Sequence, residues 1–129
     1  MEDATAMPAT TPVLVASGDA GTRAQVLLTL GDERFTVHEA EDTDQALQVI
    51  ASDLPPLIVL DAELAGAGAL AVARSLRRQP ETAGLRILLL SRRDAPVASD
   101  AVGVDATLAL PFTAFALLRK VDGLLADEG

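Results

Sequence analysis

A doubly wound parallel α/β domain is the fold that this sequence predicts, and three observations carry the prediction. Short apolar runs such as Leu57-Ile58-Val59-Leu60 have no polar face, as strands buried on both sides must be. Between them, apolar residues recur at helical spacing. Turn and capping residues stand where one period gives way to the other, and right-handed crossovers then place helices on both faces of the sheet. With 129 residues and 50% hydrophobic content, the chain can bury one core and is too short for two ordinary domains.

Residues 1–11 mix Ala, Thr, Pro, Glu and Asp without periodicity and read as a disordered lead, with the domain expected over 12–129. Val13-Leu14-Val15-Ala16 predicts the first strand, and Ala24, Leu27, Leu28 and Leu30 follow at helical spacing until Gly31. Phe35-Thr36-Val37-His38-Glu39 alternates like a half-covered strand, and Asp42 or Thr43 can cap a helix carrying Ala46, Leu47 and Ile50. After Leu57 to Leu60, the stripe Leu70, Ala73 and Leu76 gives a third helix that stops before Pro80. Arg86 to Ser91 makes the fourth strand, and Pro96 suits the start of a short helix over Ala95 to Val102, where small residues dominate. Ala106 to Leu110 completes the set of strands. Thr113 can cap a last helix with Leu117, Val121 and Leu124 on one face. Five strands and five helices result.

Composition narrows the functions. The absence of cysteine excludes disulfides and thiolate metal sites and fits a reducing cytoplasm. No apolar stretch approaches the roughly twenty residues of a membrane span, so a soluble cytoplasmic protein is expected. The net charge of -9 is uneven: residues 1–64 hold twelve acids against two arginines, residues 65–129 seven acids against eight basic residues. No basic stripe suited to a duplex is present, so protein partners are expected and direct nucleic-acid binding is not.

In an open parallel sheet, ligand and reaction sites lie beyond the carboxyl ends of the strands. That rule brings Ser17, Gly18, Asp19, Asp61, Ser91 and Leu110 toward one crevice. In order and spacing these residues resemble the receiver domain of two-component response regulators, over about residues 12 to 127. The resemblance implies the flavodoxin-like strand order 2-1-3-4-5. It places Asp61 at the phosphoacceptor position and Ser91 at the switch hydroxyl that ends strand four. Pro111-Phe112 falls where a proline and an aromatic follow the family's lysine.

The departures from the family pattern are chemical. Ser17-Gly18 stands where the family has two adjacent acids, and Asp19 lies one place later. Magnesium is a hard cation held by carboxylates, waters and phosphate oxygens, so this loss removes most of its protein ligands. If any metal is held, the candidate ligands are Asp19, Asp61 and Glu63. Asp19 also suits the cap of the helix beginning near Ala20. Leu110 replaces the lysine, and the only lysine, Lys120, lies in the last helix, more than two turns away from that position. Arg92 is the candidate compensating cation, able in principle to reach Asp61 with paired hydrogen bonds; an exposed loop arginine is the plainer reading. Ala65 replaces a proline of the family, leaving Gly66 and Gly68 to shape the loop, and Thr107 replaces the aromatic switch residue. The last helix offers a second apolar strip, Phe115 and Leu118 with Leu125, on the face where the resemblance implies docking or homodimerisation.

The sequence therefore supports first a degenerate receiver, a pseudo-receiver without ordinary magnesium-dependent phosphorylation, that needs no cofactor, is no enzyme, and acts through contacts with a histidine kinase or output protein. The second reading is a working phosphoacceptor that uses Asp61 with Asp19 and Arg92. A remote third is a flavin or nucleotide binder, weakened by the lack of Trp and Tyr and by Asp19 inside the loop where phosphate would sit. His38, the single histidine, falls in strand two, away from the crevice, and no hydrolytic triad can be assembled with it.

Overall fold

Alternate residues of each central strand face opposite sides of a sheet, and here both sides are covered. The computed structural model describes residues 10–31, 34–92 and 103–126. In chain order these form β1 (Thr11–Ala16), α1 (Ala20–Leu30), β2 (Phe35–Ala40), α2 (Thr43–Asp53), β3 (Leu57–Asp61), α3 (Ala69–Arg78), β4 (Arg86–Arg92), β5 (Ala106–Leu110) and α4 (Ala114–Ala126). The strands form one parallel sheet in the order β2-β1-β3-β4-β5. The five-stranded expectation holds. Four helices are present among the described residues, and the short helix expected over Ala95 to Val102 lies outside them.

Leu14, Ala16, Ile58, Leu60, Ile87 and Leu89 pack under α2 and α3, with Ala46, Ile50, Val72, Ala73 and Leu76. Their strand neighbours Val13, Val15, Leu57, Val59, Leu88 and Leu90 pack on the other side with Val26 and Leu30 of α1 and Leu117, Val121 and Leu124 of α4. Each buried Leu, Ile or Val contributes about 1.5–3 kcal/mol of transfer free energy, so these two layers hold the crevice residues on a rigid base.

Several boundaries and faces differ from expectation. β1 begins at Thr11, whose amide donates to Arg34 O, two residues before the expected start of the strand at Val13. The sheet-facing stripe of α1 is Thr22, Val26 and Leu30; Leu27 is partly exposed and Leu28 is 83% exposed, while Ala24 also faces solvent. Capping decides this: the Asp19 cap fixes where the first turn starts, and the four-residue spacing from Thr22 then meets the sheet. In α2, Asp42 rather than Thr43 is the cap, accepting from Gln45 N at 2.9 Å, and Leu47 is partly exposed. The buried stripe of α4 falls on the expected residues; in α3 Ala73 and Leu76 are buried as expected, with Ala69 and Val72 beside them, whereas Leu70 is half-buried. Thr113 accepts from Ala116 N at 3.1 Å and opens α4. No helix of the described residues is long and apolar enough to cross a membrane.

Candidate functional site

Strand register builds the site. Ala16 of β1 pairs with Leu60 of β3, so the next residue of each strand, Ser17 and Asp61, emerge side by side at the carboxyl edge. Both are buried, Ser17 fully and Asp61 to all but 7% of its surface. The Ser17 hydroxyl donates to Asp61 Oδ2 at 2.6 Å. The Glu63 amide donates to the other oxygen, Asp61 Oδ1, at 2.9 Å. Ser17 Oγ in turn accepts from Asp19 N at 3.1 Å. Each carboxylate oxygen of Asp61 thus receives a neutral donor.

Asp19 is turned away from this pair. Its Oδ2 accepts from the Thr22 hydroxyl at 2.6 Å and from Thr22 N at 3.0 Å, closing the first turn of α1. Those donors, the hydroxyl foremost, hold the Asp19 carboxyl below its ordinary value. Gly18 is exposed and carries no ligand atom beyond its backbone. Leu110 is half-buried and packs against the core layer shared by α1 and α4, as an aliphatic side chain does when no anion calls for a cation.

Arg23 is a site residue that the sequence reading does not single out. Its guanidinium donates to Ser17 O at 2.7 Å and pairs with Glu39 at 3.0 Å and Glu41 at 3.8 Å, fastening the β1–α1 loop to the end of β2. The available signal was an arginine one turn after Asp19 with two acids at the end of the neighbouring strand. Ser91 is buried at the end of β4, and among the described residues no hydrogen bond links its hydroxyl to Asp61. Arg92 lines the cleft beside the crevice, and one of its pairings is with Glu63, the residue two places after the candidate phosphoacceptor, at 3.7 Å. Gly66 and Gly68 both adopt positive φ, which shapes the loop after Asp61; a side chain at Gly66 would collide with Thr43 Oγ1.

Beside Asp19 the crevice opens into a cleft of about 640 Å³ whose walls include Gln25, Arg92, Leu110 and Pro111. Among the described residues no group of three or more His, Cys, Asp and Glu is placed to share a metal ion. The donor set at Asp61, one engaged carboxylate and one hydroxyl, does not fit the several anionic oxygens that magnesium prefers. Thr107 is half-buried on the edge strand β5. His38 lies in β2 with Nε2 3.4 Å from Asp53 Oδ2. On α4, Phe115 is 69% exposed, whereas Leu118 and Leu125 are half-buried and rest on the core. The expected apolar strip is therefore reduced to Phe115, because Leu118 and Leu125 flank the buried stripe closely enough to be drawn into it.

Known proteins share this fold. The phosphate regulon transcriptional regulatory protein PhoB of Pseudomonas aeruginosa is 29% identical over 120 residues, 91% of this chain and 52% of that protein. The response regulator MprA of Mycobacterium ulcerans is 35% identical over 116 residues, 88% of this chain and 49% of that protein. This chain spans about half the length of these curated relatives. Among solved structures, the chemotaxis response regulator CheY4 of Vibrio cholerae superposes with a TM-score of 0.81 at 22% identity, covering 90% of this chain and 99% of that one. No protein-family model matches.

Proposed function

Since the chain belongs to the receiver family of two-component response regulators, we propose that it is an atypical receiver, one that signals through protein contacts without acquiring phosphate by the ordinary magnesium-dependent route. One observation carries this reading: both oxygens of Asp61 are engaged by neutral donors, Ser17 Oγ and Glu63 N. Phosphoryl transfer is catalysed chiefly by stabilising charge as it develops. Here the acid pair is Ser17-Gly18 and the lysine position is Leu110, so neither a divalent ion nor an ammonium group is supplied.

The losses support one another energetically. Two carboxylates about 4 Å apart repel by around 4 kcal/mol at an effective dielectric near 20. A lysine helps relieve that repulsion, and a hydroxyl in place of the acid removes the need for it. On this reading the domain is a cytoplasmic, non-enzymatic module that binds no cofactor and no nucleic acid itself, and its partners are a histidine kinase or an output protein.

The competing reading, a working phosphoacceptor with a rearranged pocket, requires Asp19 to leave Thr22 and Arg92 to leave Glu63. Incubation with magnesium and acetyl phosphate, followed by intact-mass measurement, separates the two. The wild-type mass is expected to stay unchanged. A gain of one phosphoryl group that Asp61→Asn abolishes overturns the proposal.

A further inference from the structure

We propose that a second copy of this chain docks on the groove between α2 and α3, with α2 of each copy lying in the groove of the other about a two-fold axis that runs along the helices. The inference stands apart from the fate of Asp61 and assigns to α2 a surface that the core does not use.

α2 carries two apolar stripes. Ala46 and Ile50 pack in the core. Leu47, Ala51 and Leu54 recur at four and then three residues on a second face, and all are exposed, Leu47 by 38% and Leu54 by 46%. That spacing makes a seam of the kind along which helices pack on one another. Leu54 caps the helix at a φ of 45°, where glycine is the ordinary residue. Holding a leucine there costs energy and lengthens the exposed seam by one side chain. Beside the seam lies a groove of about 260 Å³, between Leu47 and Ala51 of α2 and Ser75 and Gln79 of α3, with the buried Ile50 and Leu76 among its walls. It is a slot for single side chains, such as those that the seam supplies.

Charge decides what fills the groove. α2 holds Asp44 and Asp53 and no basic residue, whereas α3 holds Arg74, Arg77 and Arg78 and no acid. Arg77 is bound to Asp105, and Asp53 lies 3.4 Å from His38. Among the described residues Asp44, Arg74 and Arg78 make no ion pair, and none links α2 with α3. A two-fold contact sets one patch against itself and so needs a patch that complements itself. With the axis along the helices, the acidic α2 of one copy meets the arginine-bearing α3 of the other, in both directions. An axis across the helices would set α3 on α3, and the arginines would repel. Any other occupant must offer both signs of charge around an apolar row; a second copy carries that set already.

Sedimentation velocity on the full chain, without magnesium or a phosphodonor, reads the oligomeric state and leaves the reading of Asp61 untouched whatever the result. A dimer is expected that dissociates more readily as salt is added. Arg74→Glu with Arg78→Glu, and separately Asp44→Lys with Gln48→Lys, should each weaken it about tenfold. Mixing the two variants should restore a dimer of mixed composition, since the acidic α3 of one then faces the basic α2 of the other. All four side chains are exposed, so thermal unfolding of the variants should match that of the parent. Ala51→Glu, which puts a charge into the seam, should dissociate the dimer as well. A wild-type chain that stays monomeric at every concentration, a dimer that tolerates Ala51→Glu or either pair, or folded variants that do not recombine overturns the proposal. So does a dimer that only Phe115→Asp dissociates, which assigns self-association to α4.

Discussion

Replacing Ser17 with alanine leaves Asp61 Oδ2 buried without the hydroxyl that donates to it at 2.6 Å. A buried acceptor deprived of its partner costs about 1–3 kcal/mol, and urea denaturation of Ser17→Ala should show a loss in that range; an unchanged midpoint would mean that this hydrogen bond adds nothing. The same residue illustrates what a sequence can and cannot convey. That Ser17 occupies an acid's position is legible from spacing alone. That its hydroxyl satisfies Asp61 depends on the pairing of Ala16 with Leu60, a long-range register that no local pattern encodes. Asp19 was more readable, because a helix cap is a contact within three residues, and the structure places its carboxylate on Thr22. Arg92 is less so: two acids, Asp61 and Glu63, lie two residues apart, and only geometry places Arg92 3.7 Å from Glu63.

Elements show the same division between local and distant information. The strands were plain from their apolar runs, and α4 from its stripe, since Leu117, Val121 and Leu124 repeat on one face and all three are buried. The face of α1 is not legible from its leucines, which outnumber its sheet contacts: Thr22 and Val26 are buried while Leu28 is exposed. Nothing local announced the clamp made by Arg77 at the end of α3. Its guanidinium donates to Gly103 O at 2.7 Å, to Leu85 O at 2.6 Å and to Asp105 Oδ2 at 2.7 Å. Asp105 Oδ2 also accepts from Ile87 N at 2.7 Å, so one arginine ties α3 to the starts of β4 and β5. Arg77→Ala is expected to lower stability by about 2–3 kcal/mol and to speed hydrogen exchange at Ile87 and Asp105. Unaltered exchange at those amides would show that the clamp is dispensable.

At the scale of the whole molecule, the fold and the crevice can be separated. The sheet order and the two core layers are those of a receiver, while the residues beside Asp61 at the strand ends, Ser17, Gly18 and Leu110, carry no charge. The backbone at Gly18 accepts a side chain: a Cβ there would meet only Glu41 O at 3.6 Å, an ordinary contact, and the residue lies outside the left-handed region. Ser17→Asp with Gly18→Asp should therefore rebuild an acidic pocket on an unchanged sheet. Titrating magnesium into this double variant and into the wild-type protein, and following the amide resonances of Asp61, Ala62 and Glu63, addresses the absence of charge machinery most directly. Saturable shifts are expected in the variant and none in the wild type over the same concentrations; saturation of the wild-type protein with the variant's affinity would contradict the account.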